Sequence, residues 1–233
     1  MSFECEICSD TEFILVPDEN GNEVARPCEC RTKKLAKRQF RLSGISDEYQ
    51  KKGFKDFEDR GLPQLVAAKA NALKYYQDFL QIEGDRQNSI ILCGQVGCGK
   101  THLGMAICNN LLAQNNVGVV YMAYRNVVTK IKQYMTDELN YSREIGKYMN
   151  ARLLYIDDML KGKVTESDVN IMYEIINYRY MNNLPIVIST EKTPDEIIEF
   201  DEATGSRILE MCKKNMVYLT GKELNYRLYN KNK

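Results

Sequence analysis

Residues 94–101 read Gly-Gln-Val-Gly-Cys-Gly-Lys-Thr. Two glycines bracket four residues, and a lysine followed by a hydroxyl closes the run, the spacing of G-x-x-x-x-G-K-[ST]. Glycines here let backbone N–H groups turn inward around a polyphosphate, where side chains would block the approach. Lys100 then reaches the β- and γ-phosphates, and the Thr101 hydroxyl holds Mg²⁺. Ser89 to Cys93 reads as a strand before the loop. His102 to Ala113 reads as a helix after it, so a helix N-terminus adds its partial positive charge. Gly94, Gln95, Val96, Gly97, Cys98, Gly99, Lys100, Thr101 and His102 are therefore the expected contacts to ATP or ADP. His102 is the sole histidine, and at the start of that helix it reads as packing rather than catalysis.

A second group follows at Leu153-Leu154-Tyr155-Ile156-Asp157-Asp158. An apolar strand that delivers acids at its carboxyl end sets them beside the phosphates of a parallel sheet. This looks like a Walker B motif. Asp157 would organise Mg²⁺ with Thr101, and Asp158 would orient the attacking water. Aspartate is one methylene shorter than the usual glutamate at the second position. Its reach to water is poorer, so hydrolysis is expected to be slow, which suits a switch better than a motor.

The third group is cysteine. Cys5-x-x-Cys8 is followed, after a gap of 19 residues, by Cys28-x-Cys30. Between them lies a strand-like run, Thr11 to Val16, then a turn over 17–22 and a return strand from Glu23 to Arg26. Two close cysteine pairs on a short hairpin converge on one Zn²⁺, and so few residues need a metal to fold. Free thiols are the alternative reading. A redox Cys-x-x-Cys lacks its strand–helix context. Arg31, Lys33, Lys34, Lys37, Arg38 and Arg41 follow on an expected basic helix, read either as a solvated connector or as a partner or DNA contact. Ser43-Gly44 ends it.

Bulk properties set the frame. The chain has 233 residues, 44% hydrophobic and 27% charged, with a formal net charge of zero. No global field draws it to nucleic acid or membrane. No apolar run approaches the ~20 residues of a membrane span, and the N-terminus lacks a signal layout. A cytoplasmic protein without membrane contact is expected, its cysteines thiols or metal ligands rather than disulfides.

The positioning elements alternate. Helical periodicity runs from Gln64 to Ile82. Strands are expected at Val117–Tyr124, Arg152–Ile156, Pro185–Ser189 and Met216–Leu219. Helices are expected at 126–139, 141–149, 166–181 with Thr165 as cap, from Pro194, and at 205–213. Such alternation implies a parallel sheet covered on both faces. Phe54 and Phe57 precede it and read as core, with packing near the adenine as the other reading.

Taken in order, the cysteine pairs, Gly94 to Leu103, Leu153 to Asp158, Gly205-Ser206-Arg207 and Tyr226-Arg227 resemble the AAA+ ATPases. The set is closest to the DnaC/DnaI-type replicative helicase loaders, including phage-encoded forms. The resemblance implies an α/β P-loop three-layer sandwich with a five-stranded parallel sheet and no C-terminal helical lid, since only 14 residues follow the fifth strand. It implies a zinc-binding, helicase-docking module with its basic connector over residues 1–45 and an ATPase domain over 46–233. Thr190 or Glu191 would sense the γ-phosphate. Arg207 would act as an arginine finger on a neighbouring subunit, and Arg227 on its own nucleotide. Lys100 and Asp158 complete the catalytic set; Cys5, Cys8, Cys28 and Cys30 would hold Zn²⁺. The expected partners are a hexameric replicative helicase, single-stranded DNA and further copies of the chain through ATP-bridged contacts. Lys130, Lys132, Tyr134, Lys161 and Lys163 are candidate DNA contacts. The rival readings are an IstB-type transposition helper ATPase and a P-loop small-molecule kinase.

Overall fold

The computed structural model describes residues 3–42 and 48–229. The boundary expected between residues 45 and 46, and the Ser43-Gly44 stop, lie outside the described residues. Among these, no helix is long and apolar enough to cross a membrane.

The sheet is five-stranded and parallel, ordered β4-β5-β6-β3-β7. Its strands are β3 (Ile90–Gly94), β4 (Val119–Ala123), β5 (Leu153–Met159), β6 (Ile186–Thr190) and β7 (Met216–Leu219). Apolar runs without alternation are what a strand buried on both faces requires. Period-2 geometry then sorts the side chains. Ile90, Leu92, Leu153, Tyr155, Val187, Val217 and Leu219 face one core. Ile91, Cys93, Leu154, Ile156, Ile186 and Ile188 face the other.

Helices α2 (Pro63–Ile82) and α3 (Lys100–Asn115) cover the first face. Pro63 sits at the first turn of α2, where its missing N–H costs nothing. The second face carries α4 (Tyr124–Lys132), α5 (Glu138–Met149), α6 (Glu166–Met181), α7 (Pro194–Phe200) and α8 (Glu202–Cys212). The helix expected over 126–139 is shorter. It starts at Tyr124 and stops at Lys132, and a turn leads to Asp137, whose carboxylate accepts from the Asn140 N–H and opens α5. Thr165 caps α6 in a modified way: its N–H and hydroxyl both donate to the Asp168 carboxylate. A one-turn α9 (Tyr226–Tyr229) follows β7.

Ahead of the sheet, β1 (Phe13–Pro17) and β2 (Glu23–Pro27) form the expected antiparallel hairpin. Helix α1 (Cys30–Leu42) begins on the last cysteine of the cluster. Its basic residues are partly spent on the hairpin: Lys34 pairs with Asp10 at 2.6 Å, Arg38 with Glu12, and the Arg31 guanidinium lies 4.4 Å from the Phe13 ring centre. The Lys37 and Arg41 side chains lie outside the described residues.

Candidate functional site

Gly97 and Gly99 adopt φ of +77° and +92°, conformations an L side chain resists. Their neighbours also leave no room. A Cβ on Gly97 would lie 2.3 Å from Asn225 Oδ1, and one on Gly99 would lie 2.6 Å from the Phe57 ring. The loop is thus moulded between two distant segments. Tyr226 N–H donates to Gly97 O at 2.9 Å, Gly221 N–H donates to Gln95 Oε1 at 3.0 Å, and Gln95 Nε2 donates back to Gly221 O. Lys100 is 5% exposed, and its ammonium donates to Gln95 O at 2.7 Å inside the loop. Apolar burial pushes the Cys98 thiol up, so it is neutral and donates to Gln95 O at 2.9 Å.

Opposite the loop, Asp157 is 7% exposed and accepts four hydroxyl hydrogen bonds. Thr101 (3.0 Å), Tyr155 (2.7 Å) and Ser189 donate to Oδ1, and Tyr121 (2.7 Å) to Oδ2. Four donors around one buried carboxylate fix its direction. Beside it Asp158 takes φ +54° where the register of β5 against β6 shifts. Its N–H donates to Ser189 Oγ at 2.9 Å. The bulge re-aims the second acid, so that consecutive aspartates both meet the phosphate region. Sequence reasoning missed the hydroxyls of Tyr121, Tyr155 and Ser189. The tyrosine pair was detectable in principle: Tyr155 and Asp157 share a strand face two residues apart, and Tyr121 is the residue in register with Tyr155 on β4.

One cleft gathers most of the expected residues. Val96 to His102, Asp158, Glu191 and Arg227 line it, together with Lys161, Phe57, Arg60 and Tyr226. His102 donates from Nε2 to Gly53 O at 3.1 Å and meets Phe57 edge-to-face at 5.3 Å. Burial lowers its pKa, and the carbonyl partner fixes a proton on Nε2 of the neutral ring. Thr190 is placed differently from Glu191. Its hydroxyl is fully buried, donates to Met159 O at 2.8 Å and accepts from Lys192 N–H at 3.1 Å. It serves the strand end, which leaves Glu191 as the member of the pair that faces the cleft. Arg207 lies outside its own chain's cleft, on α8. It donates to Ala203 O at 2.6 Å and lies about equally far from two rings, Tyr173 (5.5 Å) and Tyr180 (5.4 Å).

Among the expected DNA contacts, Lys130 pairs with Glu144 at 2.9 Å, and Lys132 with Asp168 at 2.5 Å. Both ammonium groups are thereby engaged within the fold.

The four N-terminal cysteines do converge. Their sulfurs lie within 4.8 Å of one another, with Cys5–Cys28 at 3.8 Å and Cys8–Cys30 at 3.5 Å. A tetrahedral site with Zn–S of about 2.3 Å has sulfurs roughly 3.8 Å apart, so the set fits zinc. Four thiolates around Zn²⁺ leave a net charge of about −2, and the adjoining basic helix offsets it. Asp10, held below the usual carboxylate range by Lys34, accepts from the Glu4 and Cys5 N–H groups at 3.0 Å and fixes the first ligand turn.

This strand order, with a phosphate loop after β3 and an acid at the end of β5, defines a P-loop NTPase of the AAA+ class. Residues 62–212 match the family of the bacterial DnaA ATPase domain. The chain belongs to that family, whose members act in DNA replication. It is 37% identical to the phage-like element PBSX protein XkdC of Bacillus subtilis (strain 168), over 97% of this chain and 86% of XkdC. It is 36% identical to the uncharacterized protein YqaM of the same strain, over 96% of this chain and 75% of YqaM. The crystal structure of the DnaC helicase loader superposes with a TM-score of 0.64 at 15% identity, covering 75% of this chain and 99% of that one. At that identity the likeness is one of fold.

Proposed function

We propose that this chain is an ATP-dependent helicase loader: it binds a hexameric replicative helicase and delivers it to single-stranded DNA, with ATP binding and slow hydrolysis timing assembly and release. The observation that carries the ATPase half is the convergence of Lys100, Thr101, Asp158, Glu191 and Arg227 on one cleft, with Asp157 behind Thr101. Loop N–H groups and Lys100 hold the β- and γ-phosphates. Thr101 and Asp157 would hold Mg²⁺, which would supply positive charge to offset the phosphates. Asp158 accepts a hydrogen bond from the water that attacks the γ-phosphorus in line, giving ADP and phosphate. Arg227 meets the nucleotide of its own chain. Arg207, turned away from that cleft, is available to the γ-phosphate of a neighbouring copy.

The loader half rests on the four-thiol cluster joined to this ATPase fold, and on the fold likeness to the DnaC helicase loader. In this reading residues 1–45, held by zinc, dock on the helicase, and residues 46–233 form the ATPase domain. The test is light scattering on a sizing column. The chain is mixed with its host's replicative helicase and ATP, ADP or no nucleotide, alongside a Cys5→Ser/Cys8→Ser form. The expected outcome is a nucleotide-dependent complex of helicase hexamer and several loaders, lost in the cysteine variant while ATP binding persists. Absence of any complex under all conditions overturns the loader reading.

A further inference from the structure

Lys161 follows the acid pair by three residues. Its ammonium lies 2.7 Å from Asp158 Oδ2 and 3.4 Å from Glu191 Oε1, joining the carboxyl ends of β5 and β6 across the cleft. The side chain is half exposed. It is carried on a tight turn in which Leu160 and Gly162 take φ of +62° and +87°, and its own N–H donates to Asp158 O at 3.2 Å. Lys161 lines the same cleft as Lys100, Thr101 and Arg227.

Lys161 engages one of the two Asp158 oxygens, and a carboxylate can orient a water from the other. A γ-phosphate bound in this cleft would offer the ammonium a second anionic partner. Lysine has three donors on a flexible four-carbon stem, so a small swing changes its partner from carboxylate to phosphate. ADP ends one phosphate short and offers no such competitor.

We infer that Lys161 is the residue by which this cleft distinguishes ATP from ADP: its ammonium exchanges the Asp158–Glu191 carboxylates for the γ-phosphate. The inference rests on the reading of the cleft as an ATP site.

Titration calorimetry on the full chain tests it, with Mg²⁺ and either ADP or the non-hydrolysable analogue AMP-PNP, comparing wild type, Lys161→Met and Lys161→Arg. Lys161→Met is expected to weaken AMP-PNP by about fivefold and to leave ADP within about twofold. Arginine restores most of the difference. Steady-state hydrolysis should show KM for ATP raised by Lys161→Met and largely restored by Lys161→Arg. Equal weakening of both nucleotides, or no change in either, overturns the inference, whether or not the melting curve has moved. Wild-type protein that binds neither ligand overturns the ATP site itself and this inference with it. Binding of both, with the variant indifferent, overturns Lys161 alone.

Discussion

The Tyr155 hydroxyl donates to Asp157 Oδ1 at 2.7 Å from two residues earlier on the same strand. The acid at the end of β5 is therefore oriented by its own strand before any ligand is considered. The ring that delivers this hydroxyl is fully buried under α3, at a glycine.

That glycine is Gly104. A Cβ there would lie 2.5 Å from the Tyr155 Cζ and hydroxyl oxygen. Alanine gains about 1 kcal/mol of helix propensity, but overpacking a full core costs about 1–3 kcal/mol. Gly104→Ala is expected to lower the urea midpoint with an unchanged slope. A raised midpoint would show that the ring can yield.

Zinc is expected at about one ion per chain in purified protein. Chelation, or Cys8→Ser, should release amide protection across residues 3–27 while β3 to β7 stay protected, since the hairpin has no large core of its own. Hydrogen exchange read by mass spectrometry checks this. A hairpin still protected after metal removal would mean that its contacts to α1 suffice.

His102 gives a pH dependence. Burial depresses its folded-state pKa below the unfolded value of about 6.5. Above that value the ring is neutral in both states and its contribution is fully present. As pH falls below it the unfolded chain takes up the proton first, and stability declines. His102→Gln is expected to flatten the part of the stability profile between about pH 7 and 5. Identical profiles for variant and wild type would remove His102 as the cause.

Much of the fold is legible in the sequence because its signals are local. The Gly94–Thr101 spacing, the turn over 17–22 and the apolar run before Asp157 each declare themselves within a dozen residues. The cysteine pairs are legible as well, since their separation matches a hairpin that folds back on itself. What escapes is what depends on register or on distant segments. The Tyr121 hydroxyl reaches Asp157 through the pairing of β4 with β5. Thr190 and Glu191 are adjacent, yet the first ends β6 inside the protein and the second follows the strand into the cleft. The walls that mould Gly97 and Gly99 come from Asn225 and Phe57, neither of which carries a phosphate-site pattern. The early stop of α4 has a local cause, but Asp137 reads equally as an exposed acid until its bond to Asn140 is seen.

Gln95 and Gly221 exchange hydrogen bonds across 126 residues of chain, and β3 takes β7 as one of its two neighbours. On the ribosome Gly221 and β7 emerge long after Gln95 and β3. Until β7 has been translated, β3 carries a bare edge, and the glycine loop that follows it lacks its Gly221 and Tyr226 partners. The phosphate site thus matures well after its motif is translated, and a message truncated before residue 216 would yield protein that displays the motif without the β7-side wall of the pocket.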